Sequence, residues 1–556
     1  MIGRDGTRMD GPWPIDMFTP PTDRRPCRHP FNGILAIDGS PLAASDASAH
    51  ADFALGGGVA RFPAVHFAFR TDGNDLLPLH RGLHRRPDPQ SYWDIMVGEG
   101  RIWRGEGACD IASFPFQLSC ERENDSHHGV ARFAWDGAQV RDLVIQVVTE
   151  TLPDHIPERL DLWGVAVASF RETAGPLTVP VRDHPMPIHD ISEITPADVL
   201  EALLDDPMRE SEITSGLVIN GHIYTTGFAT RRGPYPFPHA MRFGIWSATK
   251  AAFATTALMR LACHLGPGVA ETRIVDVLDV TADHDGWCDV TIRHCLSMAT
   301  GIGTAGETGD IHADNLTGPE YASAEGPDGA CYRAYQNWYA ARSRADKLRE
   351  AFRVPSYPWG PGVVARYRDQ DLFVAGAAMD AVWKRTRGPD ADLFAMVEDE
   401  VLRPIGCGPV DINRTLEEDG ARGVPVTAFG LFLGLDDVGR LGRLLSNGGR
   451  HEGMQLLEPS LVRECLDGAM PKGLPTGTVT ADGNDITYHL AWWQLPLVTR
   501  SGRTMRIATM RGYGGQIIQP LANGITCFRF AHDSASSQDR YDALMLPRLA
   551  DALRAL

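Results

Sequence analysis

Lysine is scarce in this chain of 556 residues, which has four lysines among its 53 basic residues. Acidic residues outnumber basic ones, 71 to 53, and the formal net charge at pH 7 is −18. A chain with this charge repels a polyanion overall. We therefore expect no nucleic-acid partner.

Long apolar runs and closely paired cysteines are also missing. No segment approaches the roughly 20 consecutive apolar residues that a membrane helix needs, and residues 1–10 lack the apolar core of a secretory signal. The ten cysteines include no Cys-x-x-Cys pair, which argues against a zinc site, and a chain of this size does not need disulfides. We therefore expect a cytoplasmic protein with no membrane partner.

Several catalytic or binding motifs are absent as well. No Gly-x-Ser-x-Gly elbow occurs, which removes the α/β-hydrolase interpretation. The glycines at 56–58 are not followed by a helix with Lys-Ser/Thr, so a phosphate-binding loop is not predicted. His127 and His128 beside Asp125 suggest a metal site, but a polar turn between strands is the favoured interpretation, and we predict no metal.

The length of the chain predicts two to four units, at about 150 residues per domain. Residues 1–30, rich in Pro, Arg and Asp, form a predicted irregular arm. Residues 31–205 contain short alternating runs separated by Asp-Gly and Glu-Gly turns, which predicts a β-rich domain. Its role is open: it could shape a cleft entrance, mediate self-association into a homo-oligomer or bind part of a larger substrate.

Residues 206–556 form the predicted second domain, of mixed α and β structure. Asn220-Gly221 predicts a hairpin between strands at 215–219 and 222–226. Helical stretches follow from 247 to about 466, and strand-like runs return at 486–495, 503–509, 515–519 and 524–530, before a last helix at 541–555. Strands at both ends predict one sheet beside a helical lobe, with a cleft between them.

One of the four lysines, Lys250, stands three residues after Ser247 at the start of a predicted helix. On a helix these two side chains share a face, so the amine can take the proton of the hydroxyl. With serine at roughly 5% of residues, one Ser-x-x-Lys is expected by chance with a probability of about 0.2. The alternative is a serine N-cap followed by an exposed lysine.

Six segments in order resemble the serine β-lactamase and penicillin-binding protein superfamily, in its class C and esterase branch. The resemblance covers residues 212–556. The segments are 247–250 (Ser-Ala-Thr-Lys), 290–302 (ending Met-Ala-Thr-Gly-Ile), 361–362 with 367–369 (Pro-Gly, then Tyr-Arg-Asp), 437–442, 492–493 (Trp-Trp) and 512–516 (Gly-Tyr-Gly-Gly-Gln). The resemblance implies a β-lactamase-like fold, an antiparallel sheet flanked by helices plus a helical lobe, preceded here by the β-rich domain.

The resemblance also implies roles for individual residues. Ser247 would be the acylated nucleophile, Lys250 the general base and Tyr367 a proton relay. Lys250 would act as a neutral amine, so its pKa must fall far below the usual ~10.4, which requires burial. The oxyanion hole would lie between the amide of Ser247 and an amide near Tyr513, where Gly512 permits close approach. A core tyrosine at 367 and an ordinary glycine-rich turn at 512–516 are the alternatives.

Two departures and one further residue bear on substrate binding. Met510-Arg511-Gly512 stands in place of the family's Lys-Thr-Gly, so β-lactam hydrolysis is put in doubt, although Arg511 or Arg506 could pair with a substrate carboxylate. Asp369 replaces the family's Asn, and a carboxylate beside Lys250 would keep the amine protonated. Gln516 completes the predicted substrate-binding set and points to the branch of esterases and short-amide hydrolases.

The sequence therefore predicts a serine hydrolase that cleaves a small ester, amide or short peptide through a Ser247 acyl-enzyme, without a cofactor. One alternative is acyl transfer from the same intermediate to an alcohol or amine. The other is a non-catalytic binding protein that keeps the penicillin-binding fold.

Overall fold

The computed structural model of the chain describes most of the sequence in ten segments. These are residues 11–44, 58–120, 123–148, 161–173, 185–204, 207–303, 329–468, 473–480, 483–533 and 541–556. The predicted boundary at 205/206 and the first ten residues of the predicted arm lie outside them.

Thirteen strands occupy the N-terminal part of the chain. They are β1 (Gly33–Ile37), β2 (Ser40–Pro41), β3 (Ala43–Ala44), β4 (Arg61–Phe62), β5 (Val65–Asp72), β6 (Asp75–Pro78), β7 (Asp94–Val97), β8 (Gly100–Arg104), β9 (Asp110–Ser119), β10 (His127–Trp135), β11 (Val140–Val147), β12 (Leu162–Ala166) and β13 (Ala168–Arg171). Eleven of them form one antiparallel sheet in the order β13-β1-β5-β6-β8-β9-β10-β11-β12-β3, with β7 paired to β9. β2 and β4 pair separately.

Alternation of side chains explains how this first sheet is buried on both faces. In β10, Ala131 and Phe133 point into the sheet's own aromatic core, whereas Val130 packs into the core of the rest of the chain. Successive residues of a strand face opposite sides. The N-terminal unit is therefore docked on the second unit through a continuous apolar surface.

Fourteen further strands follow. They are β14 (Ile188–Asp190), β15 (Glu212–Ile219), β16 (His222–Thr225), β17 (Phe243–Gly244), β18 (Asp411–Ile412), β19 (Leu431–Leu433), β20 (Arg450–His451), β21 (Met454–Gln455), β22 (Leu474–Val479), β23 (Asp485–His489), β24 (Trp492–Val498), β25 (Thr504–Gly512), β26 (Gln516–Pro520) and β27 (Thr526–Ala531). Nine of them form a second sheet in the order β14-β16-β15-β27-β26-β25-β24-β23-β22, and β17, β19 and β18 form a small one.

The second sheet joins the two ends of its unit, as predicted. β15 and β16 pair through the Asn220-Gly221 turn, and β15 also pairs with β27 in antiparallel register. The predicted run at 486–495 is divided, because a turn at Leu490 and Ala491 separates β23 from β24.

Ten α-helices are present among the described residues. They are α1 (Ala197–Leu204), α2 (Thr256–Leu265), α3 (Ile292–Leu296), α4 (Gly329–Ala340), α5 (Arg344–Phe352), α6 (Asp369–Arg387), α7 (Leu393–Val397), α8 (Leu435–Ser446), α9 (Pro459–Leu466) and α10 (Met545–Leu553). Most lie between β17 and β22 in sequence and form the helical part of the second unit. The mixed α and β fold class predicted from the sequence is confirmed. No described helix is both long and apolar enough to cross a bilayer.

Candidate active site

Ser247 lies on a tight turn that leaves the small sheet. β17 ends at Gly244, a single 3₁₀ turn covers Trp246–Ala248, and a π-helical segment, Lys250–Thr255, leads into α2. Trp246 has φ of 46°, in the left-handed region that a bulky residue rarely adopts. The sequence predicted a helix after residue 250, and the structure instead begins it with a π turn, a form that often marks functional sites.

Lys250 is buried and directed at the serine. Its Nζ lies 2.6 Å from Ser247 Oγ, 2.8 Å from the Ala428 carbonyl oxygen and 2.7 Å from Asp369 Oδ1. The lysine is 1% exposed. Nζ thus donates hydrogen bonds to Ser247 Oγ and to the Ala428 carbonyl oxygen, whereas Asp369 Oδ1 lies within ion-pair distance without hydrogen-bond geometry.

The surroundings of Lys250 oppose the neutral amine that the resemblance implies and agree with the effect expected of a carboxylate at position 369. Burial lowers the pKa of the ammonium, but the Asp369 carboxylate and Tyr367 more than offset burial, so the pKa of Lys250 is raised. Asp369 is the first residue of α6, where a carboxylate is favoured by the helix dipole, and its Oδ2 accepts a hydrogen bond of 3.2 Å from the Tyr335 hydroxyl. The resting site therefore holds a buried ion pair.

Tyr367 completes the cluster of polar groups around Ser247. Lys250 Nζ lies 4.9 Å from the centre of its ring, and the tyrosine hydroxyl interacts with both Lys250 and Ser247. Burial raises the pKa of the Tyr367 phenol, and the attraction of Lys250 only partly opposes that rise. The indole of Trp493 stacks on the tyrosine ring at 5.6 Å. The raised pKa favours the protonated phenol, and an aromatic neighbour packs against its ring.

Gly512 and Tyr513 lie beside the turn that carries Ser247. A Cβ at Gly512 would stand 2.1 Å from the Ile245 carbonyl oxygen, so only glycine lets the end of β25 come this close. The Tyr513 ring meets the Trp246 ring edge to face at 5.5 Å. The predicted oxyanion position, between the backbone near Tyr513 and that of Ser247, stays a prediction supported by this close approach.

The remaining predicted residues lie at different distances from Ser247. The Arg511 guanidinium lies 5.4 Å from the ring centre of Trp493, which in turn stacks on Tyr367. Arg506 instead donates to the carbonyl oxygens of Asp485 and Gln494 on the sheet surface. The buried Gln516 amide donates to the Ala531 carbonyl oxygen at 2.7 Å, so it ties β26 to β27 rather than facing the serine.

Three contacts at the site were not predicted from the sequence. Tyr335 reaches Asp369 from α4, and the Ala428 carbonyl oxygen accepts from Lys250. A backbone carbonyl leaves no mark in a sequence, and Tyr335 stood in a region rich in aromatics without a motif. The third contact is made by Asp125, whose carboxylate accepts a hydrogen bond from the Trp246 indole at 3.2 Å.

Asp125 lies between β9 and β10, as expected for a polar turn between strands, and His127 and His128 begin β10. Asp125, His127 and His128 are all buried, and burial lowers the pKa of His127 to about 3 and that of His128 to about 4. Within the described segments, no cluster of three or more His, Cys, Asp or Glu side chains could hold a metal ion. Asp125 and His128 contact the second unit, at the Trp246 indole and the Arg242 carbonyl oxygen, whereas the His127 ring packs edge to face against Trp93 of the N-terminal unit.

Comparison with known proteins gives structural neighbours only. No protein-family model and no curated protein matches the chain. Similar solved structures include a penicillin-binding protein homologue from Caulobacter crescentus (14% identity, 65% of this chain, 98% of that chain, TM-score 0.44). Others are a D-stereospecific amidohydrolase from Streptomyces sp. (16%, 64%, 97%, 0.40) and a family VIII carboxylesterase (16%, 65%, 96%, 0.43). At these identities and TM-scores the similarity alone assigns no activity or substrate.

Proposed function

We propose that this chain is a serine hydrolase that cleaves a small ester or amide bond through a Ser247 acyl-enzyme. The observation that carries the proposal is the 2.6 Å contact between the half-buried Ser247 hydroxyl and the buried Lys250 amine. An N-cap serine followed by an exposed lysine would place the ammonium in solvent. Here the amine is instead enclosed and oriented, as activation of a hydroxyl requires.

The Lys250–Asp369 ion pair supports a proton path for the first step. As Ser247 Oγ attacks the acyl carbon, its proton moves to Lys250 Nζ while the ammonium gives one of its protons to Asp369 Oδ1, 2.7 Å away. Lysine stays protonated and aspartate becomes a carboxylic acid. The Lys250–Asp369 pair therefore gains a net positive charge while negative charge develops on the substrate. A bound substrate excludes water, which lowers the cost of neutralising the buried carboxylate.

Tyr367 supplies the proton that the leaving group needs. As the acyl–oxygen or acyl–nitrogen bond breaks, the phenol donates its proton to the departing atom and regains one from Lys250, which is resupplied from Asp369. Tyr367 interacts with both Ser247 and Lys250, as this relay requires. Water then attacks the acyl-enzyme along the reverse path and releases the acid. No step needs a metal or an organic cofactor.

The same ion pair favours a second candidate, a non-catalytic binding protein. A Lys250 ammonium held by Asp369 donates to Ser247 instead of accepting from it, and a site in which that pair never exchanges a proton would bind ligands without turnover. The two candidates differ in one measurable property: only the hydrolase forms a covalent bond at Ser247.

Covalent labelling and turnover test the proposal together. Wild type should release p-nitrophenol from short-chain p-nitrophenyl esters and gain the mass of one phosphonyl group from a fluorophosphonate probe. Ser247→Ala should lose both properties. The matched control is Ser446→Ala on α8, a half-buried serine whose hydroxyl contacts the Gly442 carbonyl oxygen. Equal hydrolysis by Ser247→Ala and wild type would refute the proposal.

Nitrocefin and short peptides complete the panel of substrates, and product analysis with added alcohol or amine separates hydrolysis from acyl transfer. Ester products formed only with an added alcohol would make the chain an acyltransferase. Binding of substrates without labelling or turnover would favour the non-catalytic candidate.

A further inference from the structure

A short segment of the N-terminal unit, residues 123–126, reaches the turn that carries Ser247. It lies between β9 and β10 and is fully buried. Asn124 Oδ1 accepts hydrogen bonds from the backbone N–H groups of Trp246, at 2.6 Å, and Gly430, at 3.0 Å. Asn124 Nδ2 donates to the Leu431 carbonyl oxygen at 3.2 Å. Two donors on one atom and an acceptor on the other fix the orientation of the amide.

The main chain of the same segment approaches as closely as its side chains. A Cβ at Gly244 would lie 1.6 Å from the Asn124 carbonyl oxygen, so the last residue of β17 must be glycine. The Gly244 N–H donates to the hydroxyl of Ser126, which also receives the Gln117 amide at 3.1 Å. The backbone at Gly244 is thus closely packed against the backbone of residues 124–126.

Asn124 joins two segments of the chain that lie next to the Ser247–Lys250 pair. Trp246 immediately precedes Ser247, and Gly430 stands two residues after Ala428, whose carbonyl oxygen accepts from the Lys250 amine. Asn124 Oδ1 therefore bridges the serine turn and the segment that carries the acceptor of the lysine. The Ile245 N–H also donates directly to the Leu431 carbonyl oxygen, at 3.1 Å. The serine turn and the segment at 428–431 are therefore connected both directly and through Asn124.

The backbone of Trp246 needs such support. Its φ of 46° is unfavourable for a bulky side chain, and such conformations persist where the surroundings impose them. Both N–H groups of Trp246 are held by the N-terminal unit, the backbone one by Asn124 and the indole one by Asp125. Release of these contacts would let the turn relax and move Ser247 Oγ away from Lys250 Nζ.

We propose that Asn124 is a positioning residue for the Ser247–Lys250 pair, supplied to the active site by the N-terminal unit. The inference rests on the proposed hydrolase function and gives that unit a role in catalysis. Asn124 touches no reacting atom of the mechanism, so its removal should slow acylation and leave substrate affinity nearly unchanged.

The test compares Asn124→Ala and Asn124→Asp with wild type in the full-length chain. Asn124→Ala should lower kcat for a p-nitrophenyl ester by about 10- to 100-fold, because displacements near 1 Å cost about that much, and should change KM less than threefold. Fluorophosphonate labelling should slow by the same factor. The control, Tyr235→Phe, removes another buried bond between the two units, from the Tyr235 hydroxyl to the Gly129 carbonyl oxygen at 3.0 Å, and should keep the wild-type kcat.

Asn124→Asp adds a signature that stability alone would not produce. A protonated aspartic acid can accept from Trp246 and Gly430 and donate to Leu431, as asparagine does, whereas a carboxylate would face the Leu431 carbonyl oxygen. The activity of this variant relative to wild type should therefore rise as the pH falls from 8 to 5.5. This readout also decides the case if Asn124→Ala does not fold.

Failure of this inference is distinguishable from failure of the proposed function. If Ser247→Ala is inactive but the Asn124 variants keep the wild-type kcat, or lose only what Tyr235→Phe loses, Asn124 is not a positioning residue. If Ser247→Ala retains turnover, the hydrolase proposal itself is wrong.

Discussion

The substitution Asp369→Asn isolates the charge that the structure places beside Lys250. The Nζ–Oδ1 distance of 2.7 Å corresponds to an attraction of about 6 kcal/mol at an effective dielectric constant of 20. The amide oxygen of asparagine remains an acceptor, and the loss of one partner of a buried pair costs about 3–5 kcal/mol. We therefore expect the free energy of unfolding of the variant to be lower than that of wild type by about 3–5 kcal/mol at pH 7, where its Lys250 would be a buried charge without a counter-ion.

The loss in Asp369→Asn should shrink as the pH rises. In wild type the pKa of Lys250 is raised by Asp369, so its contribution to stability is complete below the unfolded pKa of ~10.4 and is lost only as the pH rises through the folded pKa. In the variant the counter-charge is gone and burial lowers the pKa, so the unfolded state binds more protons than the folded one. Stability of the variant then increases with pH up to the unfolded pKa.

Urea unfolding of both proteins at pH 7 and pH 9.5, followed by tryptophan fluorescence, measures the difference. The control is Asp276→Asn, which removes the carboxylate of an ion pair with Arg273 whose side chains are 51% and 50% exposed. Exposed pairs contribute about 0–1 kcal/mol, so this variant should match wild type at both pH values. The assignment of a buried ion pair would be contradicted if wild type and Asp369→Asn had the same free energy of unfolding at pH 7, or if the difference between them were as large at pH 9.5 as at pH 7.

Two further substitutions test the chemistry around the pair. Tyr367→Phe should lower kcat by about 10²- to 10⁴-fold, the usual contribution of general acid–base groups. The control, Tyr488→Phe, removes a neighbouring buried hydroxyl that has no hydrogen-bond partner among the described residues, and it should keep the wild-type kcat in the same ester assay. Equal losses of kcat in the two variants would assign Tyr367 a packing role. Arg511→Ala should raise KM for an ester that carries a free carboxylate by about tenfold, because a charge-assisted hydrogen bond contributes about 1.5–3 kcal/mol. KM for a neutral ester of the same length should stay unchanged. Equal effects on both substrates would exclude carboxylate recognition by Arg511.

Local chemistry explains what could be predicted of the fold. The Asn220-Gly221 turn has φ values of 53° and 81°, which these two residue types adopt readily, and the hairpin formed as predicted. The turn at Leu490 and Ala491 also has positive φ, at 45° and 70°, but neither residue type signals it. Distant contacts impose that turn: the Thr255 hydroxyl bonds to the Leu490 carbonyl oxygen, and the Ala491 N–H bonds to that of Leu296.

In the site, too, features with a local sequence signal were predicted, and features that depend on distant contacts were not. The motif spacing predicted that Ser247 and Lys250 would meet, and ordered motifs brought Tyr367 and Asp369 into the same neighbourhood. The sequence left two opposing effects on the Lys250 pKa open, burial, which lowers it, and Asp369, which raises it. The balance depends on which way Asp369, more than a hundred residues away, directs its oxygens. Asn124 carries no motif, and its contacts with Trp246 and Gly430 follow only from the docking of one unit on the other.

Ribosomes synthesise the strands around Asn124 well before the segment that carries Ser247, and domains made first generally fold first. The glycine at position 244 then receives the main chain of a partner that is already in place. The turn that carries Ser247 therefore reaches its final geometry only after it has docked onto the segment around Asn124, which is made earlier.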